Sequence, residues 1–254
     1  AMDRYVRADN PEKCPSIPAL ASPRTMGQDV WIKNTPHLVF DKWLEGRDFH
    51  HNHGEGMDCY QVGEALGGGA CAPLSDGRIV IGENWETQTR LCNGPLRTAA
   101  EFTQTEFYVG TVPVRVVRSF SLDANTRLVH WTTSFEAAVD SLDVVVGAVL
   151  HDVVSKEYGA NYISFTEWAS DSKNPREDGM ISIGVILSDR FKAEACEIDG
   201  HAVLKFRVKC GETVEYWTAS GWDRGGVESP RAWNEYMRTQ AVMVNHPLKV
   251  KVKR

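Results

Sequence analysis

Residues 48–63, Asp-Phe-His-His-Asn-His-Gly-Glu-Gly-Met-Asp-Cys-Tyr-Gln-Val-Gly, hold the densest set of reactive side chains in the sequence. Three of its 8 histidines (His50, His51 and His53) fall within four positions, and Glu55, Asp58 and Tyr60 follow at once. Imidazoles and carboxylates at this spacing can bind a divalent metal of the zinc, manganese, iron or calcium kind, or serve as acid and base on a substrate. Gly54 and Gly56 disfavour a helix, so extended chain or a tight loop is expected. On an extended strand His51, His53 and Glu55 project to one face at steps of roughly 6.6 Å. In a loop His50 and His53 converge instead. The plainer reading is an exposed polar loop whose histidines only hydrogen-bond.

Two more places carry candidate chemistry. His151-Asp152 ends the apolar run Leu142–Leu150, and polar groups at the end of a buried strand often open into a cleft. Arg97 follows the turn Asn93-Gly94-Pro95-Leu96 at the start of a strand, where a guanidinium can grip a carboxylate with two parallel hydrogen bonds. Arg90 lies just upstream. Gly67-Gly68-Gly69 lacks the Lys and Ser/Thr of a phosphate loop and reads as a bulge or turn. Ser170-Asp171-Ser172-Lys173 matches Ser-x-x-Lys only by coincidence in a polar loop, and there is no Gly-x-Ser-x-Gly elbow.

The elements that must position these residues read as strands. Runs 113–120, 127–135, 180–187 and 202–209 are rich in β-branched and aromatic residues. Turn signals divide them at Asp123-Ala124-Asn125, Asp178-Gly179 and Asp199-Gly200. Leu142–Leu150 is apolar enough for a strand buried on both faces. One helix is predicted over Arg231–Val244, with Ser229 as N-cap, Pro230 at the first position, and Trp233, Tyr236, Met237 and Val244 as its apolar stripe. A last strand is predicted at Leu248–Val252. The expected architecture is all-β: two large antiparallel sheets with one C-terminal helix, forming a single domain over 1–254 in which 1–25 is irregular or incomplete.

Composition narrows the function classes. Twenty-eight Lys+Arg against 34 Asp+Glu leave a net charge of −6 and a pI near 5.8, which excludes a typical nucleic-acid binder. No apolar run reaches the roughly 18 residues that cross a bilayer. Six scattered cysteines without a C-x-x-C pair exclude zinc-ribbon and thioredoxin readings, and they read as buried thiols with one or two export-type disulfides as the alternative. Eight tryptophans suit sugar-binding faces, although most tryptophans in any protein are core.

Asp29-Val30-Trp31-Ile32-Lys33, Asp41-Lys42-Trp43, the segment His50-x-x-His53-Gly54-Glu55-Gly56-Met57-Asp58-Cys59-Tyr60-x-Val62-Gly63, Asn93-Gly94-Pro95-Leu96-Arg97, Ser121-Leu122-Asp123-Ala124 and Gly221-Trp222-Asp223 occur in that order. From about residue 28 to the C-terminus the sequence resembles a bacterial family known as a domain of unknown function, whose members are exported and encoded beside polysaccharide lyases and unsaturated-uronate hydrolases. The resemblance implies a β-supersandwich similar to galactose mutarotase, a periplasmic or secreted location, and a role in breaking down acidic glycans. Strands that the family carries upstream of Trp31 are replaced here by a patternless stretch. His50 and His53 match the recurring histidines and His51 does not.

The expected function is therefore elimination on uronate-containing oligosaccharides, as a lyase or dehydratase, with no nucleotide cofactor. His53, His151 or Tyr60 would be the base, Tyr60 or Glu55 the acid, and Arg97 or a metal the partner of the sugar carboxylate. The metal would be held by His50 and His53 with His151 as third ligand. Arg90, Asp58 and one or more of Trp31, Trp43, Trp85 and Trp131 would contact substrate. His53, Arg97 and His151 would share the concave face of one sheet. A mutarotase or epimerase uses the same inventory, and a non-catalytic glycan-binding protein is the third reading.

Overall fold

The computed structural model describes residues 25–37, 39, 42, 43 and 49–248. Cys14 and residues 249–252 of the expected last strand lie outside the described residues. Strands are numbered in chain order. A short ladder joins β1 (Trp31–Lys33) to β2 (Gly56–Asp58). One large sheet runs β11 (Val153–Tyr158), β12 (Tyr162–Trp168), β13 (Met180–Leu187), β16 (Val214–Trp222), β9 (Leu128–Ala137), β8 (Val112–Asp123), β6 (Arg97–Gln104), β5 (Trp85–Asn93), with β7 (Phe107–Val109) paired to β8. The second runs β14 (Glu194–Ile198), β15 (His201–Lys209), β10 (Ser141–Val149), β3 (Ala70–Ser75), β4 (Arg78–Ile79). Every pairing in the two is antiparallel. Two antiparallel sheets and a long C-terminal helix are the architecture that the strand periodicity predicts.

Alternation sets which side chains meet between the sheets. Val114, Val116 and Phe120 of β8 are buried while Arg115 faces solvent, as a period of two requires. In β10, Val144–Ala148 are buried without a break, because that strand lies inside the second sheet with both faces covered. Val144, Val146, Ile183 and Phe135 belong to one apolar core that spans both sheets.

Two helical segments accompany the sheets among the described residues, the four-residue turn α1 (Pro175–Asp178) and the longer α2 (Pro230–Asn245). Ser229 Oγ accepts from the Ala232 N–H at 3.2 Å, and Pro230 occupies the first turn, where its missing N–H is harmless. Trp233, Met237 and Ala241, spaced by four, form the buried stripe against Ile186 and Ala219. A Cβ on Gly184 would stand 2.3 Å from Met237 Cε, so glycine is what lets the helix lie this close to β13.

The His-rich segment departs from the strand alternative. Residues 49–55 are turn, bend and irregular chain, and the strand begins only at Gly56, so His51, His53 and Glu55 do not form a strand face. Gly56 has φ +129°, outside the range of ordinary L-residues, which breaks the extended run there. β5 and β11, at the two ends of the large sheet, each carry register shifts: at Trp85/Thr87 and Arg90/Cys92 in β5, and at Val153/Ser155 in β11. The five described cysteines are free thiols, with Cys59 and Cys71 buried.

Candidate functional site

Two neighbouring clusters bring titratable side chains together. The first lies where β10 ends and the chain passes to β11. His151 follows the strand and turns its ring toward Glu167, the penultimate residue of β12. Glu167 Oε1 accepts from His151 Nδ1 at 2.7 Å, and Oε2 accepts from the His151 main-chain N–H at 3.0 Å. Glu167 is fully buried and the imidazole is one-fifth exposed. Both carboxylate oxygens thus hold one residue, which places the proton on Nδ1 and leaves Nε2 as the basic nitrogen. Among the described residues no hydrogen bond uses Nε2. Tyr60 packs edge-on against this imidazole at 5.2 Å and donates its hydroxyl to the Val149 carbonyl.

His201 backs this corner. Its Nδ1–H donates to the Asp199 carbonyl at 2.8 Å, and its Nε2 accepts from the Leu66 N–H at 3.2 Å, a pairing that only neutral imidazole can make. Burial lowers its pKa below the ordinary 6.5, and His151 nearby adds to the effect. The unfolded chain therefore takes up the proton first as pH falls. The stability due to neutral His201 is complete above its ordinary pKa and drains away as pH falls from there toward the lowered value. Denaturant unfolding at about pH 7.5 and about pH 5 should show a larger acid loss in the parent than in His201→Gln. Equal losses would remove His201 as a source of acid sensitivity.

The second cluster joins His50, Asp58 and Asp171, whose ligand atoms all lie within 4.8 Å of one another. His50 Nδ1 is 3.2 Å from Asp171 Oδ2 and 3.8 Å from Asp58 Oδ2. Main-chain bonds tie the three segments together: Asp58 N–H to the Phe49 carbonyl at 2.7 Å, Asp171 N–H to Cys59 at 3.2 Å, and Lys173 N–H to His50 at 3.1 Å. Trp31 stacks on Trp43 at 5.6 Å and on Phe49 at 5.5 Å, and Phe49 packs on the His50 ring at 4.4 Å. Residues 168–173 connect the clusters, since Trp168 N–H also donates to the Asp152 carbonyl at 3.3 Å. Arg176 of α1 lies over the Trp168 ring at 4.4 Å and bonds at 2.8 Å to Asp152, the residue that follows His151 in the chain.

Several expected roles are corrected by this geometry. The metal trio of His50, His53 and His151 is not assembled: among the described residues the group with ligand spacing is His50, Asp58 and Asp171. His53 is exposed on the turn and packs edge-on against His51 at 4.9 Å. Tyr60 does not suit a base, because burial raises its pKa well above the ordinary value and its proton is bound by Val149. Glu55 does not suit a proton donor, because the hydrogen bond from Lys42 at 2.6 Å lowers its pKa and keeps it ionised.

Arg97 begins β6 as expected and donates two hydrogen bonds to the exposed Asp123, with Nη2 at 2.7 Å from Oδ2. β6 is six steps from β11 in the sheet order, about 25–30 Å at roughly 4.8 Å per step, so Arg97 and His151 do not share a site. Arg90 lies farther still, exposed on β5. Arg97→Ala should leave the midpoint of denaturant unfolding close to the parent's, as for other exposed ion pairs. A large drop in that midpoint would mean that the Arg97–Asp123 pair braces the sheet.

The tryptophans divide differently from expectation. Trp31 and Trp43 prop the His50 turn. Trp131 is buried, with Nε1–H on Thr218 Oγ1 at 2.9 Å. Trp131 and the half-exposed Trp85 border a cavity of about 30 Å³, room for one or two waters but not a pyranose. Trp168, Arg176, Glu167 and Asp171 had no assigned role. Glu167 did carry a signal: with Ile163 and Phe165 it completes an i, i+2, i+4 row, so an acid stands where a third apolar residue belongs.

The sequence profile of the family described as "Domain of unknown function (DUF4861)" matches residues 5–250. The chain belongs to the DUF4861 family. The match begins upstream of the Trp31 segment, so the patternless N-terminal stretch is part of the family's domain. This DUF4861 chain is 23% identical over 238 residues to "Uncharacterized protein P7" of Formosa agariphila, a match covering 89% of the chain and 58% of that relative. It therefore spans little more than half of the relative's length. A solved structure described as "Putative kojibiose phosphorylase from human microbiome" aligns with 88% of the chain and 37% of its own length, at 10% identity and a TM-score of 0.40. No helix among the described residues of this DUF4861 chain is long and apolar enough to cross a membrane.

Proposed function

We propose that this domain is a carbohydrate-active enzyme that acts on uronate-containing oligosaccharides by elimination. The observation that carries the reading is the His151–Glu167 pair, an imidazole fixed in one tautomer by a buried carboxylate at a strand end. In the step envisaged, His151 Nε2 takes the proton from C5, the carbon next to the sugar carboxylate. The C–H electron pair becomes the C4–C5 double bond, the C4–O bond breaks, and the departing oxygen is protonated by water. The developing negative charge on the sugar carboxylate needs a cation, and Arg176 replaces Arg97 in that role. Trp168 offers the adjoining apolar surface.

An epimerase or mutarotase would use His151 and a carboxylate as separate acid and base. Glu167 spends both oxygens on His151, which favours elimination. The deciding experiment is incubation with uronate oligosaccharides, followed by ultraviolet absorbance for the C4–C5 double bond and by mass spectrometry. A new chromophore supports the proposal. Binding without any change in mass or absorbance would leave a glycan-binding protein.

A further inference from the structure

The geometry points to a divalent-cation site at His50, Asp58 and Asp171, for an ion that accepts mixed nitrogen and oxygen ligands, such as Zn²⁺ or Mn²⁺. Ligands at roughly 2.1 Å from a tetrahedral ion stand about 3.4 Å from one another. The 3.2 Å and 3.8 Å separations from His50 Nδ1 bracket that figure. His50 Nδ1 is buried and makes no hydrogen bond, although Asp171 Oδ2 is within ordinary hydrogen-bond distance. Its in-plane direction therefore does not meet the carboxylate, whereas an ion between the three groups could take its lone pair.

The three segments are also pre-set for this task. Asp58 is almost fully buried and held by β1–β2 pairing opposite Trp31. The amide of Asp171 and the carbonyl of His50 are both fixed to the same neighbourhood through Cys59 and Lys173. Two carboxylates held close in this way repel each other, and a divalent ion removes that repulsion. One imidazole with two carboxylates is too few oxygens for Ca²⁺, which takes six to eight. Three protein ligands leave a coordination position open, and the partial exposure of His50 and Asp171 gives water or a ligand access to it.

The site needs no assumption about elimination, and it is tested with the metal alone. Chelator-stripped protein titrated calorimetrically with ZnCl₂ and MnCl₂ should bind one of them saturably at a stoichiometric ratio. His50→Ala and Asp171→Asn, both at partly exposed positions, should each weaken binding about tenfold or more. His53→Ala and His151→Ala should bind as the parent does. Circular dichroism identifies any variant that fails to fold, and either ligand variant alone suffices for the comparison. No saturable binding, unchanged affinity in both ligand variants, or a preference for Ca²⁺ over both ions would overturn the assignment.

Discussion

Replacing His151 by Asn is expected to lower kcat/KM on an acidic oligosaccharide by about a thousandfold, within the range of roughly 10²–10⁴ for a lost general base. The expectation follows from the contacts of the ring. Nδ1 is committed to a buried carboxylate, so Nε2 is the only nitrogen free to accept a proton, and Asn offers no base. Glu167→Gln tests the same arrangement differently. It keeps the volume but presents an amide N–H toward one of the two donors of His151, favouring the other tautomer. A loss of about a hundredfold or more, read in kcat with KM little changed, would mark Glu167 as a positioning residue. The measurement is the initial rate of double-bond formation on a substrate that the parent turns over. His151→Asn retaining parental rates would place the base elsewhere.

The largest stability effect is expected at Gly56. A Cβ there would lie 2.0 Å from the Ile32 carbonyl oxygen and 2.7 Å from Lys33 Cα, both backbone atoms that cannot rotate away. The φ of +129° adds strain for any L-side chain. Gly56→Ala should therefore destabilise the protein by about 3 kcal/mol or more, since an unfavourable dihedral and overpacking each contribute roughly 1–3 kcal/mol. The relief available is to open the β1–β2 ladder, in which Lys33 pairs with Gly56 and Trp31 with Asp58. Chemical denaturation gives the free energy, and tryptophan fluorescence follows the stack of Trp31 on Trp43. Parental stability would mean that this ladder gives way easily.

Local structure was more legible in the sequence than the site was. β13 occupies residues 180–187 as read from periodicity, and β8, β9, β10 and β15 differ from expectation only at their ends. α2 starts at the predicted Ser229 cap because that signal is local. What could not be read was the order of strands: β16 lies between β13 and β9, and β10 between β15 and β3. Arg97 illustrates the consequence. Its turn is real, with Gly94 N–H bonded to the Arg97 carbonyl at 2.9 Å, yet the sheet order carries it away from His151. Asp171 sits in a polar loop where no periodicity distinguishes a ligand from a solvated acid. The carboxylate nearest His50, Asp171, comes from the chain just beyond β12, far from the His-rich segment in sequence.

The irregular pairing at both ends of the large sheet bears on how the molecule behaves in a crowded solution. An outermost strand offers unpaired N–H and C=O groups to any other extended chain, which is how amyloid-type assembly starts. Among the described strands β5 is outermost in its sheet, nine residues long and almost wholly exposed, with Leu91 at 56% exposure. Its two register shifts interrupt the even spacing that an incoming strand must match, and Glu86 and Arg90 place charge along it. The shift in β11, with the ion-paired Lys156 beside it, does the same at the opposite end. A sheet this wide thus carries its own protection against polymerising with its neighbours.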